Sequence, residues 1–182
     1  QTLNGAFGSK VTVPGTGMLL NNCMKLMDPT PGRTNSIAPG KRILSSMSPT
    51  IVLKDGKPLL AIGTPGGVRI FGSVLQAILN VIDFGMSVQE AVEAPRLFDR
   101  GPVLELERGF DRLPELAAEL ERRGHTVQIV PKVAGGMNGI LIDPATGLLH
   151  GGACWRADGA AAGYSGGDAL AGEGEFSPGI PA

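Results

Sequence analysis

Aromatic residues are scarce. Six phenylalanines, one tyrosine and one tryptophan among 182 residues give no stacking platform for unpaired bases. No block of like charge compensates: sixteen basic residues stand against seventeen acidic ones, a formal net charge of -1, so nucleic acid is not expected as a partner. Long apolar runs are missing as well. None approaches the ~20 residues of a membrane-spanning helix, and no membrane partner is expected. Cysteine occurs only at Cys23 and Cys154, without CxxC spacing, which predicts buried thiols rather than a disulfide scaffold. The two histidines, His125 and His150, are isolated and too few for a metal centre. Neither a metal nor a cofactor is predicted, and the compartment is left open.

What the chain does contain is turn chemistry between short apolar stretches, with 28 glycines and 14 prolines. Its length suits one good core, as a single domain or as half of a larger sandwich. The opening residues, 1–4, read as strand; residues 11–13 and 18–22 read as two more strands about a Pro14-Gly15-Thr16-Gly17 turn, and 28–40 as a surface loop. Residues 50–53 and 59–62 are β-rich and flank Lys54-Asp55-Gly56-Lys57, a hairpin signal because Asp-Gly tolerates the positive φ values of a tight turn. In 71–84, Val74, Leu75, Ile78, Leu79 and Ile82 recur at helical spacing before Gly85, predicting a helix that packs on a sheet.

Ser87 and Glu90 form a capping-box pattern for a short helix ended by Pro95. Residues 103–107 alternate like a half-buried strand, Leu113, Leu116 and Leu120 mark an amphipathic helix before Gly124, and 126–130 read as strand. Residues 139–143 and 148–153 flank Pro144-Ala145-Thr146-Gly147, a second hairpin. Trp155-Arg156 reads as surface packing. From 165 to 182 the Gly, Ala, Glu and Pro content predicts a flexible C-terminal tail. The sum is α+β: antiparallel sheet layered with helices.

Two short stretches carry chemistry. Ser45-Ser46 supplies adjacent hydroxyl donors, and Gly66-Gly67 after Pro65 supplies backbone amides that a ligand can approach without meeting a Cβ. Together they can grip a carboxylate and an oxyanion, the equipment of acyl transfer. Each has a plainer reading, a strand-edge or capping pair for the serines and a simple turn for the glycines. Cys23 reads as an inert buried thiol, with no basic neighbour in sequence to activate it.

The ordered set Thr2-Leu3-Asn4, Phe7-Gly8, Gly17-Met18-Leu19-Leu20-Asn21-Asn22, Leu44-Ser45-Ser46-Met47-Ser48-Pro49-Thr50, Pro65-Gly66-Gly67, Ala94-Pro95-Arg96 and Ala162-Gly163-Tyr164 resembles the small, C-terminal subunit of the γ-glutamyltranspeptidase family. Those proteins are N-terminal nucleophile (Ntn) hydrolases with a four-layer αββα sandwich. The resemblance implies that residues 1–164 are the small-subunit half of such a sandwich, bound to a large subunit from the same precursor. It also implies an amidohydrolase or acyltransferase that cleaves γ-glutamyl or similar carboxylate-bearing acyl amides of small molecules through a threonine acyl-enzyme. In that family a self-cleaved precursor exposes a threonine whose α-amine, titrating near ~8, is the base for its own hydroxyl. Thr2 follows Gln1 and has no such amine, so the resemblance puts the nucleophile roughly twenty residues upstream, the length of two strands and a turn.

By the same resemblance, the Thr2 hydroxyl hydrogen-bonds that nucleophile, and Asn4, on the same strand face by the period of two, contacts substrate. Ser45 and Ser46 hold the substrate carboxylate, and Gly66 and Gly67 form the oxyanion hole. The chain departs from the family at Cys23 and Leu26, where transpeptidases carry a glutamine and an aspartate for the α-ammonium of a γ-glutamyl group. An ammonium beside Leu26 would be desolvated without a charge partner. The departure favours an acyl group with a carboxylate but no amine, such as glutaryl or a short dicarboxylic monoamide. The stretch from Cys23 to Lys41 is shorter than in lidded members, which predicts an open cleft. Cephalosporin-acylase-like and oxamate-hydrolase-like amidases are the alternatives within this class; a catalytically silent binding or structural relative is the alternative outside it.

Overall fold

The structure is a computed structural model and describes residues 2–163; Gln1, Tyr164 and the tail expected at 165–182 lie outside the described residues. The chain divides after Ser46 into two compact units.

The first unit is held by turns. Residues 2–4 form no strand: Asn4 has φ +60°, and its N–H donates to Thr2 Oγ1 at 3.1 Å. The period-of-two argument that put Thr2 and Asn4 on one strand face therefore fails, because alternation needs extended backbone at each residue. The two strands expected at 11–13 and 18–22 shrink to one antiparallel bridge, Thr12 with Leu19, closed by Val13 N–H to Met18 O at 2.8 Å. Gly15 and Gly17 both take positive φ, which turns the chain before a ladder can grow. Cys23–Leu26 is a single 3-10 turn. The loop at 28–40 is irregular as expected, its entry set by Asp28, whose Oδ1 accepts the Thr30 N–H at 2.8 Å.

The second unit carries the regular structure: β1 (Thr50–Lys54), β2 (Lys57–Gly63), α1 (Ile70–Ile82), α2 (Val88–Glu93), β3 (Leu97–Asp99), β4 (Leu104–Glu107), α3 (Pro114–Arg122), β5 (Val127–Val130), β6 (Asn138–Ile142) and β7 (Leu149–Ala153). One antiparallel sheet runs β1-β2-β6-β7 and a second runs β3-β4-β5, with β4 and β5 parallel. The Asp55-Gly56 hairpin forms as predicted, with φ +52° and +77° at its two corner residues. So does the capping box. The Ser87 hydroxyl accepts the Glu90 N–H, and the Glu90 carboxylate accepts the Ser87 N–H in return.

Leu60 and Ile62 on β2 meet Ile70, Val74 and Ala77 on α1, Val88 and Val92 on α2, and Met137 and Cys154 in one buried cluster. The face of α1 that packs inward is thus the 70-74-77 stripe. Leu75, Leu79 and Ile82, which the helical spacing assigned to the packed face, lie outward and exposed. The helix is apolar on adjacent faces, so periodicity alone did not single out the buried one. The opposite face of the first sheet is apolar too. Ile51 and Leu53 of β1, Ile140 of β6 and Leu149 of β7 are all exposed, and the register places Ile140 beside Ala61, itself opposite Ile51.

Both helices clasp an edge strand with a glutamine amide. Gln76 of α1 donates to Leu97 O and accepts the Leu97 N–H, each at 2.9 Å. Gln89 of α2 does the same with Ala153, at 3.0 and 3.1 Å. These amides satisfy backbone groups that β3 and β7 would otherwise present as open ladder.

Candidate active site

Gly66 and Gly67 join the end of β2 to the head of α1. Gly66 has φ +151° and ψ 13°, Gly67 has φ +61°, and the chain continues through the 3-10 turn Gly67–Arg69 into Ile70. Among the described residues neither glycine N–H has a hydrogen-bond acceptor. Two neighbouring amides are therefore left for an external acceptor, at the end of a helix where the backbone dipoles favour negative charge. Behind the corner, the Gly135 N–H donates to Pro65 O at 2.8 Å. A Cβ built on Gly66 would lie 2.6 Å from the Ala134 Cβ.

The strut behind the corner is anchored in a buried ionic cluster that the sequence did not foretell. Strand β4 was expected to be half-buried, yet Leu104, Glu105, Leu106 and Glu107 are all buried. Its glutamates are inside because each has found partners. Glu105 takes Arg69 Nε and Nη2, both at 2.7 Å, and Arg100 Nη1 at 3.2 Å. The Arg69 hydrogen bonds, aided by Arg100, hold the Glu105 carboxyl below its ordinary range. Glu107 accepts the Arg96 N–H at 3.0 Å, the Val133 N–H at 2.8 Å and Arg156 Nε at 2.7 Å, and pairs also with Arg156 Nη2.

Arg156 corrects the surface reading given to Trp155-Arg156. Trp155 is half exposed, but the Arg156 guanidinium is fully buried. Its remaining N–H groups cap the end of α2, donating to Val92 O at 3.0 Å and Ala94 O at 2.9 Å. Arg96, 2% exposed, donates to Val92 O at 2.8 Å and Gly135 O at 3.1 Å, and reaches Cys154 Sγ at 3.6 Å. Burial pushes the Cys154 thiol up, but the Met137 N–H at 3.0 Å, the Arg156 donors and the Arg96 charge outweigh it and bring the thiol below its ordinary value. Cys23 and Cys154 are both buried and unbridged, as expected.

The other predicted site residues belong to the first unit. Thr2 and Asn4 share one turn, and Asn4 Nδ2 is buried with no acceptor among the described residues, an amide donor that stands ready for one. Cys23 and Leu26 begin and end one 3-10 turn, where positions three apart eclipse. Cys23 is buried and Leu26 half-buried, so that side of the turn is apolar. Ser45 is exposed and Ser46 half-buried, outside regular structure. Five basic residues, Lys10, Lys25, Arg33, Lys41 and Arg42, share the first unit with one carboxylate, Asp28. Asp28 is already engaged by the Thr30 N–H and Arg33, and these bonds hold its pKa low, the Thr30 N–H most of all.

The γ-glutamyltranspeptidase family model matches residues 1–164. The chain belongs to that family. Among its relatives, Acylase ACY 1 proenzyme of Pseudomonas sp. (strain SE83) is 56% identical over 173 residues, covering 94% of this chain and 30% of that protein. Glutathione hydrolase proenzyme of Bacillus subtilis (strain 168) is 40% identical over 165 residues, covering 90% of this chain and 28% of that protein. Of the solved structures, cephalosporin acylase from Bacillus halodurans superposes with a TM-score of 0.82 at 34% identity, over 91% of this chain and 31% of that one. The chain thus spans about 30% of the length of the curated relatives it matches. Its α+β arrangement is that of the Ntn-hydrolase transpeptidase and acylase structures it superposes on. Within this family fold, sequence reasoning reached the diglycine corner but missed its supports, Thr64, Ala134, Gly135 and the Glu107–Arg156 pair. No local pattern marked them, and the alternation of Leu and Glu in β4 pointed to a wet face where the structure has a buried one.

Proposed function

We propose that the full protein is an amidase of the acylase kind, which transfers a carboxylate-bearing acyl group from a small-molecule amide to a threonine hydroxyl and then to water or an acceptor amine. The observation that carries this reading is the pair of unengaged amides at Gly66 and Gly67. In the proposed cycle they receive the tetrahedral oxyanion as the hydroxyl adds to the carbonyl, and release it as the amine leaves. The nucleophile is the terminal threonine of the self-cleaved precursor, upstream of Thr2. The Thr2 hydroxyl already accepts the Asn4 N–H and retains its own proton to donate to that nucleophile. Asn4 Nδ2 supplies a further donor to substrate.

The acyl group is set by the first unit. Its one carboxylate is committed to Arg33 and the Thr30 N–H, and Cys23 and Leu26 present an apolar turn, so among the described residues of that unit no uncommitted carboxylate is left for an α-ammonium. Five cations and the Ser45-Ser46 hydroxyls instead favour an α-carboxylate. Glutaryl-type amides fit better than γ-glutamyl ones. With glutaryl-anilide and γ-glutamyl-anilide supplied to the full processed protein, kcat/KM is expected to be at least about tenfold higher for the glutaryl compound. A preference for the γ-glutamyl compound removes the argument from Leu26. Absence of both turnover and labelling by an amide-mimicking acylating inhibitor would instead mark a silent relative.

Replacing Ser45 and Ser46 together by alanine is expected to raise KM about tenfold or more with little change in kcat, because a carboxylate grip holds substrate and transition state alike. Steady-state kinetics on the glutaryl compound check this. A fall in kcat matching the rise in KM would reassign the serines to the chemical step. The partner proposed is a large subunit cut from the same precursor. The exposed apolar row of Ile51, Leu53, Ile140 and Leu149 supports it, since a sheet face of that kind calls for a covering layer.

A further inference from the structure

We propose that Thr64 and Arg96 are positioning residues for the diglycine corner, acting through the carbonyl of Gly135. The proposal rests on the reading in which Gly66 and Gly67 bind the oxyanion, and it adds the device that fixes where their amides point.

Gly135 is joined to the corner in both directions. Its N–H donates to Pro65 O at 2.8 Å, and its carbonyl accepts the Thr64 hydroxyl at 3.1 Å. The same hydroxyl lies 2.9 Å from Pro65 O, so its single proton is shared between the corner and the strut behind it. From the other side Arg96 Nη1 donates to Gly135 O at 3.1 Å and to Val133 O at 3.4 Å. Arg96 is itself immobilised, 2% exposed with Nη2 on Val92 O. Its planar fork therefore fixes the Gly135 carbonyl relative to the end of α2. The contact is close: a Cβ on Gly135 would stand 2.8 Å from Pro65 Cγ and one on Gly66 would stand 2.6 Å from Ala134 Cβ. Ala134 holds φ +60° to make this approach. Without these ties, Gly66 and Gly67 have the widest backbone freedom of any residue type, and an oxyanion hole needs its donors already aimed.

The test uses the full processed protein with Thr64→Val, Thr64→Ser and Arg96→Lys. Valine keeps the shape of threonine and deletes the hydroxyl. Thr64→Val is expected to lower kcat about tenfold with KM within about twofold of wild type, the signature of misaimed donors rather than lost binding. Thr64→Ser, which restores the hydroxyl, is expected to retain at least about half the wild-type kcat, and Arg96→Lys to fall at least as far as Thr64→Val. Amide hydrogen exchange of the Gly135 N–H, which donates to Pro65 O, gives a readout independent of turnover: about tenfold faster in Thr64→Val and unchanged in Thr64→Ser. Thr64→Val with wild-type kcat and exchange overturns the proposal, as does a KM that rises in step with the fall in kcat. If the wild-type protein turns over no amide, the oxyanion reading fails on its own account, and the exchange rates still decide whether Thr64 holds the corner.

Discussion

Replacing Gly66 by alanine is expected to lower kcat about 100-fold or more, whereas Gly67→Ala loses no more than about 30-fold. The two glycines are adjacent, yet their surroundings differ. Gly66 sits at φ +151°, a conformation that side-chain-bearing residues rarely adopt, and its new Cβ would meet Ala134 Cβ at 2.6 Å and Ala134 Cα at 2.7 Å. Backbone on the far side cannot yield as a flexible side-chain tip would, so the corner itself must shift and take both amides with it. Gly67 sits at φ +61° with nothing within 4 Å of an added Cβ, which leaves only the left-handed strain of about 1–2 kcal/mol. Kinetics of the two variants in the full processed protein, with melting curves to show that both remain folded, provide the check. Equal losses would mean that the approach of Ala134 does not control the corner. Ala134→Gly added to Gly66→Ala removes one of the two clashes and is expected to recover part of the lost turnover.

What could be read ahead of the structure was whatever depends on neighbours in sequence. The Asp55-Gly56 turn and the Ser87–Glu90 capping box obey rules that span four residues or fewer, and both form as expected. The burial of β4 obeys no such rule. Glu105 owes its place inside to Arg69, 36 positions away, and Glu107 to Arg156, 49 positions away, and an alternating Leu-Glu pattern on its own reads as a strand with one wet face. Helix α1 shows a different limit, because apolar residues on adjacent faces leave the inward stripe to be chosen by what packs against it. The first unit shows a third: at Asn4, with φ +60°, one residue in the left-handed region is enough to cancel a strand argument built on alternation. The candidate site divides along the same line. Gly66 and Gly67 stand out as a residue type in a motif, while Thr64, Arg96 and Gly135 acquire meaning only when residues 71 apart in the chain meet at one carbonyl.

Breaking the Glu107–Arg156 pair is expected to cost about 3–5 kcal/mol of stability. Both side chains are fully buried. Glu107→Gln removes the charge but leaves an amide nitrogen facing Arg156, and one of the carboxylate oxygens that served Arg96 N, Val133 N and Arg156 Nε is lost as an acceptor. Arg156→Met instead strands the carboxylate and uncaps Val92 O and Ala94 O at the end of α2. At about 2–4 °C per kcal/mol for a chain of this size, either change is expected to lower the melting temperature by on the order of 10 °C. The pair acts as a unit, so the double variant should fall short of the sum of the singles by at least about 1 kcal/mol. Denaturant titrations of the four proteins in that cycle measure the shortfall, and strict additivity would show that each residue is held by its backbone partners and not by the other. Because Glu107 also holds the Val133 N–H, two residues before Gly135, the destabilised variants should lose turnover at temperatures where they remain folded. The diglycine corner and the buried cluster would then be shown to share one support.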